Sequence, residues 1–390
     1  MHNFEFHLRT KLYFGRDEHL KIGEIIKGYG FSSVLILIGE RHVKETGLLD
    51  KVSDLLGKNG IKYTVYGGIT PNPEIKFVRE ATRIAQKEAV DLILAIGGGS
   101  VIDVAKTVSA SYYYKGDPFD FCTKTATVEK ALPLGVILTH SSSGSEMSAS
   151  AVISRAETLF KEGYRSELIR PLFAVMNPRL TQSVSKYQTA VGIVDSFMHS
   201  LERYFSNPEI FSFADRFNEA VFITLKEAAL KLIKDPNDYD ARANIMLASA
   251  MSHNGLGGLG KKTYMSAHQL EHALSALYPE IAHGHGLAVV WPAWAKMYLP
   301  IMPDKFDRFA RVVFNFSNDD KIKNGLRGIE ALENLFAKLG LTLTLRNLGV
   351  KESDYDVLVN IVTKNGEKKL YHRLKELDKE EIRTIYQNCY

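Results

Sequence analysis

Asp91–Lys106 reads DLILAIGGGSVIDVAK, an apolar strand that ends in three glycines and a serine and runs directly into the helical pattern VIDVAKTVSA. Gly97, Gly98 and Gly99 let the backbone turn tightly and let a ligand approach the main chain, and the free N–H groups of the helix start attract phosphate. Ser100 and Asp103 stand at capping-box spacing, which places the helix start at that serine. The turn matches neither GxGxxG nor the Walker A pattern, since no GK[ST] follows. A strand, glycine turn and helix also occurs in α/β proteins that hold no nucleotide, so the turn needs support from the rest of the chain.

Working outward, β-branched runs alternate with amphipathic helical patterns up to about residue 185. SSVLILIG (32–39), HVKETGLLDKVSDLLGKNG (42–60) and IKYTVYGG (61–68) precede the turn, together with VREATRIAQKEA (78–89). LPLGVILT (132–139) and FAVMNP (173–178) follow it. Such alternation predicts a parallel sheet flanked by helices. Phe4 to Phe14 reads as a strand or hairpin along one edge. After Ser185 the β signal fades and helical patterns dominate, from SKYQTAVGIVDSFMHSLERYF (185–205) to GIEALENLFAKLG (328–340). The expected division is an α/β dinucleotide-binding domain over 1–185 and an all-helical domain over 186–390, with the site where the two halves meet. No repeat or low-complexity linker marks the junction.

Two other strand ends carry polar residues to what should be the same edge of the sheet, where open α/β sheets bind ligands. Thr139–Glu146, THSSSGSE, follows LPLGVIL, and Gly39–Glu40 follows SSVLILI. Glu40 is placed to accept hydrogen bonds from a ribose diol and to repel a 2′-phosphate, which favours NAD(H) over NADP(H), while the adjoining Arg41 acts in the opposite sense.

In the helical half, GIVDSFMHSLERY puts Asp195 and His199 four residues apart on one helix face, and SAHQLEHALSALYPEIAHGHGLA repeats the spacing with His268 and His272 before His283 and His285. Five of the twelve histidines fall in these two segments. A lone helical histidine is usually structural, but two such pairs beside an HGH are a ligand pattern. Imidazole with carboxylate suits Fe2+ or Zn2+, and three neutral imidazoles with one carboxylate leave a divalent ion net positive, a Lewis acid for a carbonyl oxygen.

The bulk composition agrees. The 390 residues are 45% hydrophobic and 24% charged, ample for two cored domains. The net charge of +4 comes from 49 basic and 45 acidic side chains with no basic tract, which argues against nucleic acid. MHNFEFHLRTKLYFG lacks the apolar core of a signal peptide and no stretch reaches membrane-span length, so a soluble, cytoplasmic protein with no membrane partner is expected. Cys122 and Cys389 form neither a disulfide framework nor a CxxC pair, so a bound metal must use His and carboxylates.

Taken together, NFxF…TKxxFG (Asn3 to Gly15), PNP (71–73), GGGSVIDVAK (97–106), TxxxxGSEM (139–147), the Asp and His helix, HNGL (253–256), and HxxEHxLSALY with HGxGLA (268–288) span nearly the whole chain. The chain resembles the iron-activated (group III) alcohol dehydrogenases, most closely their butanol dehydrogenase-like branch. The resemblance implies a Rossmann-like dinucleotide-binding domain followed by an all-α metal-binding domain, the dehydroquinate synthase-like fold. It implies metal ligation by Asp195, His199, His268 and His283, with His272 near the reacting substrate and not a ligand. Gly98, Gly99 and Ser100, with Asp103 beside them, correspond to the pyrophosphate turn, and Thr139 and Ser142 to a second cofactor loop. Asn72 corresponds to an adenosine-side contact, Lys161 to a cofactor ribose contact and Glu40 to an acid on the adenosine ribose. The implied activity is NAD(P)-linked interconversion of small primary alcohols and aldehydes, in a homodimer formed through the N-terminal strand.

Two departures stand out. The butanol dehydrogenase-like branch often has GGGS where this chain has Gly39, Glu40, Arg41 and His42. The interval from His272 to His283 is one residue longer than usual, so His285 competes with His283 as fourth ligand, although GxGLA registers with His283. The nearest rival is a polyol (glycerol-type) dehydrogenase or another metal-dependent enzyme on this scaffold. A dehydroquinate synthase-like enzyme would need a basic cluster for an anionic substrate, which the sequence does not show, and a metal-dependent hydrolase would leave the glycine turn unexplained.

Overall fold

The structure is a computed structural model that describes every residue except Phe211. Two compact units emerge, His7–Val184 and Met1–Phe6 with Ser185–Tyr390.

The first unit holds strands β1 (Lys11–Phe14), β2 (Ser33–Gly39), β3 (Lys62–Ile69), β4 (Leu92–Gly97), β5 (Leu134–Leu138), β6 (Ser150–Arg155), β7 (Phe160–Arg165) and β8 (Phe173–Met176). Its helices are α1 (Ile22–Gly28), α2 (His42–Glu45), α3 (Leu48–Lys58), α4 (Ile75–Lys87), α5 (Gly99–Ser111) and α6 (Asp120–Thr123). Six strands form one all-parallel sheet in the order β1-β8-β5-β4-β2-β3. The central strands read as unbroken apolar runs because helices cover both faces, and Val34–Ile38 and Leu92–Ile96 are wholly buried. Chain order reverses between β2 and β4, the place where doubly wound sheets open a crevice at their carboxyl edge. Gly39–Glu40 and Gly97–Ser100 leave the sheet there on adjacent strands.

Three local features differ from the sequence reading or add to it. Phe4–Phe14 forms no hairpin: only Lys11–Phe14 is extended in a ladder, parallel to Phe173–Met176, and Met1–Phe6 belongs to the helical unit, where His2 N donates to Gly260 O at 2.9 Å. No turn residues lie between Phe4 and Lys11 to close a two-stranded ribbon. Second, Ser150–Arg155 and Phe160–Arg165 pair antiparallel as a separate small sheet, turning through Leu159 at φ 53°. Third, Ser100 does not cap α5. The helix begins at Gly99 with Gly98 as its cap and no side-chain hydrogen bond there. Asp103 is drawn elsewhere, accepting from Ser145 Oγ at 2.7 Å and from Val152 N at 2.9 Å.

The second unit carries nine helices among the described residues: α7 (Lys186–Phe205), α8 (Ser212–Lys234), α9 (Tyr239–Ser252), α10 (Ser266–Leu277), α11 (His283–Tyr298), α12 (Pro303–Phe314), α13 (Lys321–Lys338), α14 (Tyr355–Thr363) and α15 (Lys379–Asn388). Ser185 starts α7 by accepting from Gln188 N, and every residue from Ala190 to Phe205 is buried. Such a helix is the axis of its unit, with Phe197, Tyr204 and Phe205 set among Phe222, Trp291, Phe306 and Phe309. None of the helices is long and apolar enough to cross a membrane, among the described residues.

Candidate metal centre and cofactor edge

Asp195 and His199 share one face of α7, His268 and His272 one face of α10, and His283 is the first residue of α11. Packing of these helices brings ligand atoms of Asp195, His199 and His268 within 4.8 Å of one another, and those of Glu271, His272 and His283 likewise. His283 Nε2 links the groups, 3.8 Å from Asp195 Oδ1, and the His268 and His283 ring centroids are 5.3 Å apart.

Why α11 comes so close is legible in HGHG. A Cβ on Gly284 would stand 2.2 Å from the Val191 carbonyl oxygen, and one on Gly286 would stand 2.8 Å from Glu271 Cγ. The two glycines let α11 lie on the backbone of α7 and against α10, which carries His283 to the acid cluster. His285 is turned away: Tyr187 Oη lies 3.1 Å from its Nδ1 and Thr342 O 2.9 Å from its Nε2.

Hydrogen bonding fixes the ring tautomers. His199 Nδ1 donates to the Asp195 carbonyl at 2.9 Å, and since a carbonyl only accepts, Nε2 keeps its lone pair. His268 Nδ1 donates to Glu202 and His283 Nδ1 donates to Glu271. His268 Nε2 is buried with no hydrogen-bond partner among the described residues. An orphaned imidazole nitrogen costs free energy unless something accepts its lone pair, so a cation fits where a proton does not. Asp195, His199 and His268 offer ligand atoms within 4.8 Å of one another and His283 Nε2 stands 3.8 Å from Asp195 Oδ1, a spacing that suits metal–ligand bonds of ~2 Å.

The electrostatics agree. Burial works to raise the Asp195 carboxyl, but His199, His283 and His268 hold it well below the usual carboxylate range. Burial, then the neighbouring His199 and His283, depress His268 far below an ordinary imidazole, so it is neutral. Burial pushes Glu202 up to about 7, against the pull of the Ala267 and His268 N–H groups.

The sequence reading passed over Glu202, Glu271 and His253. Glu202 follows His199 by three residues and Glu271 follows His268 by three, so helical spacing puts each carboxylate on a ligand-bearing face, but each serves a histidine of another helix, His268 and His283, which spacing does not reveal. His253, from HNGL, stacks on His199 with centroids 4.2 Å apart. His272 lies 5.5 Å from His283 and 6.3 Å from His268, ring centre to ring centre.

On the α/β unit, the loop after β5 meets the glycine turn. Thr139 N donates to Gly97 O at 3.1 Å. A Cβ on Gly99 would meet Ser143 Oγ at 2.6 Å, and one on Gly98 would meet His140 Cβ at 3.1 Å. Thr139 is buried, Ser100 and Ser142 half-buried, and Ser141 Oγ is buried without a partner among the described residues. Lys106, wholly buried, ties α5 to the same loop through Ser145 Oγ at 2.8 Å and Ser148 Oγ at 3.0 Å. Asn72 sits in the left-handed region at φ 51° and its Oδ1 accepts from Lys161 Nζ at 3.0 Å, so residues 89 apart meet beyond β3. Glu40 is exposed on the loop leaving β2.

The family described as iron-containing alcohol dehydrogenase matches residues 9–178, and the C-terminal family of Fe-containing alcohol dehydrogenases matches 189–390. The chain belongs to the iron-containing alcohol dehydrogenase family. Within it, the chain is 36% identical to NADH-dependent butanol dehydrogenase A of Clostridium acetobutylicum over 100% of both chains. It is 35% identical to the NADPH-dependent aldehyde reductase YqhD of Escherichia coli over 94% of each. Among solved structures, NADH-dependent butanol dehydrogenase A from Thermotoga maritima superposes with a TM-score of 0.96 at 38% identity, covering 100% of this chain and 99% of that one. This protein is an NAD(P)-linked alcohol dehydrogenase.

Proposed function

We propose that the chain reduces small aldehydes to primary alcohols with NAD(H), using a divalent metal, Fe2+ or Zn2+, held by Asp195, His199, His268 and His283. The observation that carries the metal is the buried, partnerless His268 Nε2 among neighbours already fixed in ligand tautomers. Such an ion supplies Lewis-acid polarisation of a carbonyl oxygen. A bound nicotinamide would supply or accept the hydride.

The rest is work for the chain. Glu202 and Glu271 hold the His268 and His283 rings so that Nε2 is the donor atom. Gly98, Gly99 and the uncapped start of α5 take the pyrophosphate, with Thr139, Ser142 and Ser100 as hydroxyl contacts. Asp103 and Lys106 brace that loop from behind. Asn72 and Lys161 serve the ribose side as a hydrogen-bonded pair, and Glu40 accepts from the adenosine ribose. His272, one turn along α10 from His268, orients the substrate or passes a proton to the product oxygen.

Elemental analysis of the purified protein, coupled to NADH oxidation with short aldehydes, tests this reading. The expected result is about one Fe or Zn per chain with butanal-dependent NADH loss, and His272→Ala lowering turnover while metal content holds. Metal-free protein with no aldehyde-dependent absorbance change would refute it. The proposed assembly is a homodimer, which light scattering would test.

A further inference from the structure

The three imidazoles of the candidate metal centre are not held alike. His268 and His283 each donate from Nδ1 to a carboxylate carried by a different helix, Glu202 on α7 and Glu271 on α10. His199 donates from Nδ1 to the Asp195 carbonyl, one turn back on its own helix. Asp195 Oδ1 stands 3.1 Å from the same nitrogen, but that carboxylate belongs to the ligand set. A bond at one edge leaves a ring able to rock about it, because the terminal torsion of a histidine has a broad minimum. His199 is met on its face instead: His253 stacks on it with centroids 4.2 Å apart and planes 30° apart. His253 adds no nitrogen to either cluster of ligand atoms among the described residues, so it lies against a ligand without being one.

HNGL (253–256), a motif to which the chemistry above gives no task, is built to hold that ring. His253 ends α9. Asn254 is buried and braces the turn in both directions, its Oδ1 accepting from Leu256 N at 2.9 Å and its Nδ2 donating to Met251 Sδ at 3.1 Å. Gly255 sits at φ 103°, in the left-handed region that favours glycine. Just beyond it, Gly257 O accepts from Asn218 Nδ2 of α8 at 2.9 Å, and a Cβ on Gly257 would stand 2.3 Å from Asn218 Oδ1. A turn tied to α8 and α9 in this way presents the His253 ring to α7 at a set angle. Resting on the metal reading above, we infer that His253 is a positioning residue. Its ring face holds the His199 imidazole in the plane that leaves Nε2 for the cation, the task that Glu202 and Glu271 perform for His268 and His283. A flat aromatic face also suits an imidazole made electron-poor by a bound cation.

Zn2+ affinity of the full chain, freed of metal and titrated against a chromophoric chelator, tests the assignment without requiring turnover. His253→Ala should weaken Zn2+ binding by about tenfold, the upper end for an aromatic pair and the lower end for a residue behind a metal-bound imidazole. His253→Phe keeps the flat face and loses both nitrogens, so it should bind within about threefold of wild type. Co2+ in place of Zn2+ reports ligand geometry through its visible bands, which should shift in His253→Ala and match wild type in His253→Phe. If His253→Ala fails to fold, His253→Leu, which fills the space without a flat face, is compared with His253→Phe in its place. Wild-type affinity and bands in the His253→Ala or His253→Leu protein would overturn the positioning role and leave the metal centre standing. So would a His253→Phe protein as weak as His253→Ala. Wild-type protein that binds no Zn2+ would overturn both readings.

Discussion

Glu202→Gln isolates the role of one buried carboxylate. Glu202 is 2% exposed and accepts from Ala267 N at 2.6 Å through Oε1, and from His268 N at 3.2 Å and His268 Nδ1 through Oε2. Glutamine fills the same volume with one acceptor and one donor end. If its amide nitrogen faces His268, the ring must accept at Nδ1 and carry its proton on Nε2, where the proton blocks the lone pair meant for the metal. If its oxygen faces His268, the nitrogen opposes the Ala267 N–H and a buried donor goes unpaired, which costs about 1–3 kcal/mol of stability. The first arrangement lowers metal affinity by about 10- to 100-fold, the range for losing a carboxylate behind a metal-bound imidazole, equivalent to about 1.4–2.7 kcal/mol. Chelator competition would read the first, and urea unfolding of metal-free protein the second. A variant that holds Zn2+ within about twofold of wild type and unfolds at the same urea concentration would refute the tautomer argument.

Gly284→Ala forces a methyl group against the Val191 carbonyl, so α11 must back away from α7. A loss of about 2–3 kcal/mol in urea unfolding with weakened metal binding is expected, and wild-type behaviour in both would contradict the close-approach reading. His283→Asn should reduce metal affinity by more than about 100-fold, beyond the range of an outer partner. His285→Asn, which loses only contacts to Tyr187 and Thr342, should retain the metal; the opposite pattern in metal analysis would exchange the two roles. Burial pushes Glu146 up from 4.5 to about 7, so the folded chain holds a proton that the unfolded chain releases. Its contribution to stability is therefore full below about pH 4.5 and disappears as the pH rises through 7. Glu146→Gln stays uncharged, so wild type should lose about 3 kcal/mol relative to the variant across that window. Parallel stability profiles in denaturant series at several pH values would disprove this.

The parallel sheet and the helical half were legible in local sequence because their cause is local: apolar runs such as LILAIG allow one strand covered on both faces, and i,i+4 pairs share a helix face wherever the helix ends up. That same regularity put Asp195 beside His199 and His268 beside His272 before any packing was known. Ser100 shows where local reasoning stops. Its spacing to Asp103 satisfies a capping rule, yet Asp103 is claimed by Ser145 and Val152 from beyond β5, partners invisible from within the helix. The choice between His283 and His285 is of the same kind. Both occur in one AHGHG, and only the approach of α11 to the Val191 carbonyl, allowed by Gly284, turns the first toward Asp195 and the second toward Thr342. The sequence by itself determined which residues could serve as ligands and which elements would carry them, since both depend on side-chain chemistry and backbone periodicity. Only the tertiary structure decided which nitrogen of each imidazole is available, and that His253 lies on His199, because these depend on contacts between chain segments that sequence spacing does not encode.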